Sequence, residues 1–304
     1  MSRHLGLDLG GTNIKIAVLD RSAADAVPTL VARDVRPTHA SRGPDAVAEA
    51  LVAAGQAAIE AHGPVATIGV GVPGLFDAET GVIRLFPNLP GPWPGFPLRE
   101  RLEAGFGRPV AIINDARAHT LAESRMGAGR GAATMALVTL GTGIGGGLII
   151  DGKLHLGTGT AGEIGHQTVL LDGPLCGCGN RGCAEALAQA KALTDAAGRA
   201  TVEAVFAGAV DGDERCVAAV DQAARYLGVA VANVVNVLAP DRVVVGGGIA
   251  GAGEGILEPL RASVREHARM LPADRTEIVL AELGSMAGGI GAALAGAEAG
   301  TAGT

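Results

Sequence analysis

Four residues that bind soft and borderline metals stand close together in the second half of the chain. They are His166, Cys176, Cys178 and Cys183, spaced H-x9-C-x-C-x4-C. Thiolates and imidazoles are preferred zinc ligands, and a set of four within eighteen residues suits one tetrahedral Cys3His site. Four protein ligands leave no open position for a reactive water, so such an ion would be structural. Carboxylates flank the set: Glu163 stands three residues before the first ligand and Glu185 two after the last. A metal that closes this loop also fixes where those two carboxylates point. The fourth cysteine, Cys216, falls on an expected helix far from the set and reads as a core residue.

Three glycine turns offer different chemistry. Asp8-Leu9-Gly10-Gly11-Thr12 opens a strand hairpin in which bare backbone N–H groups can face an anion. Thr12 adds a hydroxyl there, Lys15 adds charge, and Asp8 suits the water shell of a magnesium ion. The same string also fits an ordinary hairpin turn. A second cluster, LGTGIGGG at 140–147, lies between two expected strands and lacks the G-K-[ST] ending of a P-loop. A third, Gly246-Gly247-Gly248, follows a strand and leaves room for a flat base. Asn114-Asp115 ends one strand and starts a helix. A carboxylate at that point can take a proton from a hydroxyl, and either residue is equally suited to cap the helix.

Composition bounds the partners. The chain of 304 residues is 48% hydrophobic and carries a net charge of −7, which fits a globular domain pair and argues against a general nucleic-acid binder. No apolar run approaches the ~18 residues of a membrane span, and MSRHLGLDLGGT enters a strand directly, so a cytoplasmic protein without membrane partners is expected. In that setting clustered cysteines favour metal over disulfides.

The elements must position these groups. Strands are expected at 4–9, 14–20, 30–35, 65–72, 109–113, 134–140, 147–151, 242–245 and 277–281. Helices are expected at 44–62, 98–105, 116–126, 184–197, 201–209, 214–238, 255–270 and 285–299. The five prolines of 87–97 make that stretch an irregular loop. A strand–glycine turn–strand unit recurs near 4–20 and 134–151, which predicts two similar α/β lobes facing a shared cleft. Residues 1–115 would form a small lobe, with a C-terminal helix at about 290–304 packing back on it. Residues 116–289 would form a large lobe holding the loop 163–185.

LDLGGTN, GVPG at 71–74, NDA at 114–116, the turn at 141–147, EIGH at 163–166, CGCGNRGCAE at 176–185 and VGGG at 245–248 together resemble the ROK sugar kinases of the actin-like ATPase superfamily. The resemblance spans essentially the whole chain. It implies two actin-like (ribonuclease H-like) lobes with the active site in the cleft and a structural zinc loop in the larger one. It also implies ATP-dependent phosphorylation of the 6-hydroxyl of a hexose, glucose first, with N-acetylmannosamine, N-acetylglucosamine, mannose, fructose and allose as alternatives. Asp115 would be the general base. Gly74, Asn88, Asn114, Glu163, His166 and Glu185 would bind the sugar, with His166 shared between zinc and substrate. Asp8, Gly10, Gly11, Thr12, Lys15, Thr139, Gly141, Thr142, Gly143 and Gly246 to Gly248 would surround Mg-ATP, and the protein would form a homodimer or homotetramer. Two departures stand out. The chain has Arg117 where the family often has Asn after N-D-A. The seven residues before Asp8 are too few for the winged helix of the family's repressors, which also disfavours a non-catalytic sugar sensor.

Overall fold

The structure is a computed structural model that describes residues 2–23, 27–87, 89–270 and 275–302. The chain divides into two compact units, Met1–Met126 with Ser285–Thr304 and Gly127–Gly284. The border expected at residue 115 falls on the first residue of a helix. That helix stays whole within the first unit, and the division comes after it.

The first unit opens with β1 (Ser2–Leu9), β2 (Asn13–Arg21) and β3 (Thr29–Pro37), an antiparallel meander. Helix α1 (Pro44–His62) leads to β4 (Thr67–Val72), which pairs parallel to β1. A short hairpin follows, β5 (Leu75–Phe76) with β6 (Ile83–Leu85), and then α2 (Leu98–Phe106). Strand β7 (Val110–Asn114) pairs parallel to β4 and runs straight into α3 (Asp115–Met126). The sheet order is β3-β2-β1-β4-β7. Proline at the start of α1 and Gly63 past its end, with its N–H on Ile59 O at 2.8 Å, fix both ends of that helix. The proline-rich stretch is irregular as expected, and Trp93 is buried within it between Phe86 and Phe96, 4.7 and 5.5 Å away.

The second unit repeats the pattern. Strands β8 (Met135–Leu140), β9 (Ile144–Ile150) and β10 (Lys153–His155) form an antiparallel meander. The loop that carries the cysteines leads to α4 (Ala184–Ala188), α5 (Ala190–Ala197), α6 (Val202–Val210) and the long α7 (Glu214–Leu238). Strand β11 (Arg242–Gly246), helix α8 (Glu254–His267) and strand β12 (Glu277–Leu280) complete the unit. Its sheet runs β10-β9-β8-β11-β12, with β8, β11 and β12 parallel. The mixed α/β class and the duplicated unit read from the sequence are therefore present. Helix α7 is capped by Asp213, which accepts the Cys216 N–H at 3.0 Å, and Cys216 itself is fully buried. Among the described residues no helix is long and apolar enough to cross a membrane.

Two local expectations differ from the structure. The helix expected over 184–197 is broken at Gln189, whose backbone is extended; the next N–H, of Ala190, donates to Gly141 O at 2.9 Å instead of to its own helix. The strand expected at 147–151 starts earlier, at Ile144. Gly145, Gly146 and Gly147 pair in register with Thr139, Val138 and Leu137, so those glycines are ladder residues and not part of a free turn.

The last helix, α9 (Ala287–Ala302), belongs to the first unit and packs on β1, β4 and α3. It is built almost wholly of alanine and glycine because it lies unusually close. A Cβ on Gly6 would come within 1.9 Å of Gly289 O, and one on Gly69 within 1.8 Å of Ala292 O. Since the atoms met are backbone, no side-chain rotation can relieve the clash. Gly69→Ala should therefore lower stability by the upper end of the usual overpacking cost, about 1–3 kcal/mol. Chemical denaturation of the variant beside wild type measures this, and an unchanged midpoint would refute so close a seat for α9.

Candidate functional site

The cysteine loop presents its four donors to one point. A ligand atom from each of His166, Cys176, Cys178 and Cys183 lies within 4.8 Å of all the others. Cys176 Sγ is 3.7 Å from His166 Nδ1, and Cys178 Sγ is 3.7 Å from Cys183 Sγ. A tetrahedron with zinc–sulfur bonds near 2.3 Å has edges of about 3.8 Å, so the spacing fits such a site. Burial first, then the neighbouring cysteines, pushes the Cys183 thiol up to about 12, and burial raises Cys176. The Asn180 backbone N–H leads in lowering Cys178. A bound cation reverses this resistance to forming thiolates.

Glu185 ties the cluster to the second glycine turn. Its Oε2 accepts the Ile144 N–H at 2.9 Å; its Oε1 lies 3.6 Å from Cys176 Sγ and 3.9 Å from His166 Nδ1. The glycines around it are there for close approach. A Cβ on Gly143 would stand 2.7 Å from Glu185 Oε2, and one on Gly165, within EIGH, 2.1 Å from Ile144 O. Gly162 lies against Gly147, where a Cβ would be 2.7 Å from its Cα. Part of the GTGIGGG cluster therefore makes room for the cysteine loop. His166 turns Nδ1 towards the cluster and Nε2 towards Glu163, whose Oε2 is 4.0 Å away. Gly141, which has no neighbour within 4 Å of a Cβ, and the exposed Thr142 remain open in that turn; Thr139 is half-buried. In the third turn Gly247 has φ 88° and sits against Leu140, while Gly248 is open and Gly246 ends β11.

The first unit holds the other groups. Gly11 and Thr12 are exposed at the β1–β2 turn, and the turn is clipped from behind by Thr38. The Thr38 N–H donates to Thr12 O at 2.8 Å and its hydroxyl to Gly10 O at 2.7 Å. Asp8 is buried, with Lys15 Nζ 3.6 Å from Oδ2 across the hairpin; Lys15 thus neutralises Asp8 as well as adding charge to the turn. Asn114 is the helix cap. Its Oδ1 accepts from Ala116 and Arg117 N–H at 3.1 and 3.3 Å, and its Nδ2 donates to Gly74 O at 3.2 Å. Asp115 is the first residue of α3, and its Oδ1 accepts the Ala116 N–H at 2.8 Å. Of the two roles open for Asn114-Asp115, capping falls to Asn114, while one Asp115 carboxylate oxygen also holds the Ala116 N–H. Asn88 lies outside the described residues. Arg117, the departure from the family pattern, is buried.

Two further residues come into view only in the structure, Thr38 and His119. Thr38 sits in an unremarkable polar stretch, and no local signal could have found its role. His119 was within reach: it follows Asp115 by four residues on one helix face. Its Nε2 is sealed from solvent and has no hydrogen-bond partner among the described residues. Burial holds its pKa below the usual 6.5; Asp8 and Glu123 oppose the shift and Lys15 aids it. His4, bonded to Thr67 Oγ1 at 2.8 Å, is lowered too, by burial first and by Arg21.

A family model described as the ROK family matches residues 4–298. A glucokinase of Halalkalibacterium halodurans is 36% identical, over 95% of this chain and 93% of its own. The crystal structure of a ROK hexokinase from Thermus thermophilus superposes with a TM-score of 0.88 at 40% identity, covering 99% of both chains. That of a ROK family glucokinase from Streptomyces griseus, in complex with glucose and AMPPNP, gives 0.81 at 30% identity, over 98% of this chain and 100% of its own.

Both depressed histidines have a consequence for stability. The unfolded chain protonates them near 6.5 while the folded chain resists. The unfolded state then binds more protons, so stability is complete above that pH and falls as the pH drops below it. The melting temperature of wild type should fall between about pH 7 and about pH 5.5, and less steeply in His4→Gln. Equal slopes in the two proteins would show that His4 takes no part.

Proposed function

Because the chain belongs to the ROK family, we propose that it transfers the terminal phosphoryl group of Mg-ATP to the 6-hydroxyl of a hexose, with glucose as the first choice. The observation that carries this reading is the Glu163–His166–Glu185 set held against a metal-type cluster, and Asp115 at the start of α3 supplies a carboxylate suited to act as base. The glucose and AMPPNP bound by the Streptomyces griseus relative point the same way.

Phosphoryl transfer asks little covalent chemistry of a protein. It asks for alignment, charge neutralisation and one base. Asp115 takes the proton from the attacking hydroxyl. Asn114 caps the helix that carries Asp115 and holds the Gly74 carbonyl beside it. Glu163, Glu185 and His166 Nε2 bind other sugar hydroxyls; carboxylates accept from such donors and discriminate strongly against a sugar that lacks one. Glu185 already gives one oxygen to Ile144, so it offers its remaining acceptor sites from a fixed position. Gly10 to Thr12, Thr139, Gly141 to Gly143 and Gly246 to Gly248 surround the nucleotide, with Asp8 towards the magnesium water shell and Lys15 balancing its charge. Magnesium bound with the nucleotide neutralises the charge that gathers on the transferred phosphate. Zinc in the Cys3His cluster is structural and sets the positions of Glu185 and His166.

A coupled ADP-release assay over a panel of hexoses and N-acetylhexosamines tests the activity and the preference together. Glucose is expected to give the highest kcat/KM, and a higher value for another sugar would move the preference while keeping the reaction. In the same assay Asp115→Asn should lose about 10²–10⁴-fold in kcat while retaining glucose binding by calorimetry. A variant that turns over like wild type would remove Asp115 from the role of base.

Freshly purified protein should hold about one zinc per chain by elemental analysis. Cys176→Ser should weaken zinc by more than the about tenfold to hundredfold typical of losing a residue that merely supports a ligand. It should also lower the melting temperature, because metal binding here is coupled to folding. Active protein with no zinc would sink the metal assignment.

A further inference from the structure

The peptide between Gly10 and Gly11 has glycine on both sides. Rotating it changes only ψ of Gly10 and φ of Gly11, and with no Cβ on either residue sterics alone leave more than one orientation open. The orientations differ in chemistry. In a trans peptide the C=O and the N–H point to opposite sides. One orientation shows the Gly11 N–H to whatever faces the turn, and the other shows the Gly10 carbonyl. Thr38 decides between them. Strand β3 pairs with β2 as far as Pro37 opposite Asn13, and this brings the next residue, Thr38, to the turn. Thr38 is fully buried, its hydroxyl donates to Gly10 O at 2.7 Å, and its N–H donates to Thr12 O at 2.8 Å. The Gly10 carbonyl is therefore held on the Thr38 side, and the Gly11 N–H points away from it. Gly11 is exposed, and its N–H makes no hydrogen bond among the described residues. The Gly10 N–H, by contrast, is spent on Asn13 O at 3.0 Å.

We propose that Thr38 is a positioning residue for the nucleotide: its hydroxyl locks the Gly10–Gly11 peptide with the N–H outward, so that Gly11 offers a donor to a phosphate oxygen where a carbonyl would repel it. This rests on the reading of the Gly10–Thr12 turn as a phosphate site, and it adds a residue that touches neither nucleotide nor sugar. A hydrogen bond from N–H to an anionic oxygen is stronger than one between neutral groups, so the orientation of a single peptide weighs on affinity. The hydroxyl is the part that matters. The bond from the Thr38 N–H to Thr12 O is a main-chain bond that any residue except proline can make, whereas the bond to Gly10 O needs a side-chain donor. Threonine and serine both supply one; valine, of the same shape as threonine, does not.

The test compares Thr38→Val, which keeps the shape and removes the donor, with Thr38→Ser, which keeps the donor. Calorimetry on the full-length protein gives the Kd of Mg-AMPPNP and, separately, that of glucose. Thr38→Val should weaken Mg-AMPPNP by about tenfold or more, and Thr38→Ser should stay within about threefold of wild type. Glucose binding should be unchanged in both. A residue that only held the fold together would lower the melting temperature of Thr38→Val and leave its Mg-AMPPNP Kd at the wild-type value, and that result overturns the proposal. So does a Thr38→Ser that binds Mg-AMPPNP no better than Thr38→Val. If Thr38→Val does not fold, nuclear magnetic resonance of glycine-labelled wild type decides. The Gly11 amide proton, assigned by its loss in Gly11→Ala, should move downfield when Mg-AMPPNP binds, and a resonance that stays in place overturns the proposal. These readouts need no turnover. If no sugar in the panel is phosphorylated, the kinase reading falls while the Mg-AMPPNP comparison still decides Thr38. If wild type itself binds no Mg-AMPPNP, the phosphate role of the turn falls and this proposal with it.

Discussion

Glu185 holds the second unit's chemistry in register. One carboxylate oxygen takes the Ile144 N–H, and the other lies against Cys176 and His166. The Ile144 carbonyl is meanwhile covered by Gly165 of the EIGH segment. The residue between two glycines of the turn is thus gripped on both its polar groups by the loop that carries the metal ligands. Any shift of the cysteine loop must move the glycine turn with it. A metal at the Cys3His cluster would then stiffen the 141–147 turn as well as the Glu163–His166 segment, although four ligands would leave it no chemistry of its own. Glycine at 143 and 165 follows from the same grip, since a Cβ at either position would break it.

The first unit solves a similar problem without metal. Asn114 spends its carbonyl oxygen on two helix N–H groups and its amide on Gly74 O, so one side chain joins the end of β7, the start of α3 and the turn after β4. Capping by Asn114 leaves the next residue, Asp115, at the first position of the helix, where a negative charge is favoured by the helix dipole. Thr38 performs the parallel service for the Gly10–Thr12 turn from β3's far end. The Gly10–Thr12 turn is thus backed by Thr38 and the 141–147 turn by Glu185, beside the backbone bonds Gly10 N–H to Asn13 O and Gly141 N–H to Gly143 O, both 3.0 Å.

The closeness of α9 to the first sheet explains a compositional feature with no chemical meaning of its own. Gly6 and Gly69 on the strands, with the Gly/Ala sequence of the helix, bring backbone onto backbone beside Asp8. Much of the high glycine content is packing. Gly146, Gly162 and Gly247 likewise sit where a Cβ would strike backbone, while others, such as Gly141 and Gly248, are open.

The residues with distinctive chemistry were legible in the chain itself. The spacing of His166, Cys176, Cys178 and Cys183 is local, so a single loop brings the donors together, and periodicity was enough to place the mixed α/β elements and the duplicated meander. Helix α1 matches its expected bounds because proline and glycine mark both ends in the sequence. Tertiary structure alone decided how the glycines divide between open turns and close packing, because that depends on what lies opposite each one. It also broke the helix at Gln189, where Gly141 competes for the Ala190 N–H, and gave the capping role to Asn114 instead of Asp115. The clip at Thr38 arises from contacts between segments distant in the chain. A hydrogen bond across such a distance leaves no period or spacing to read.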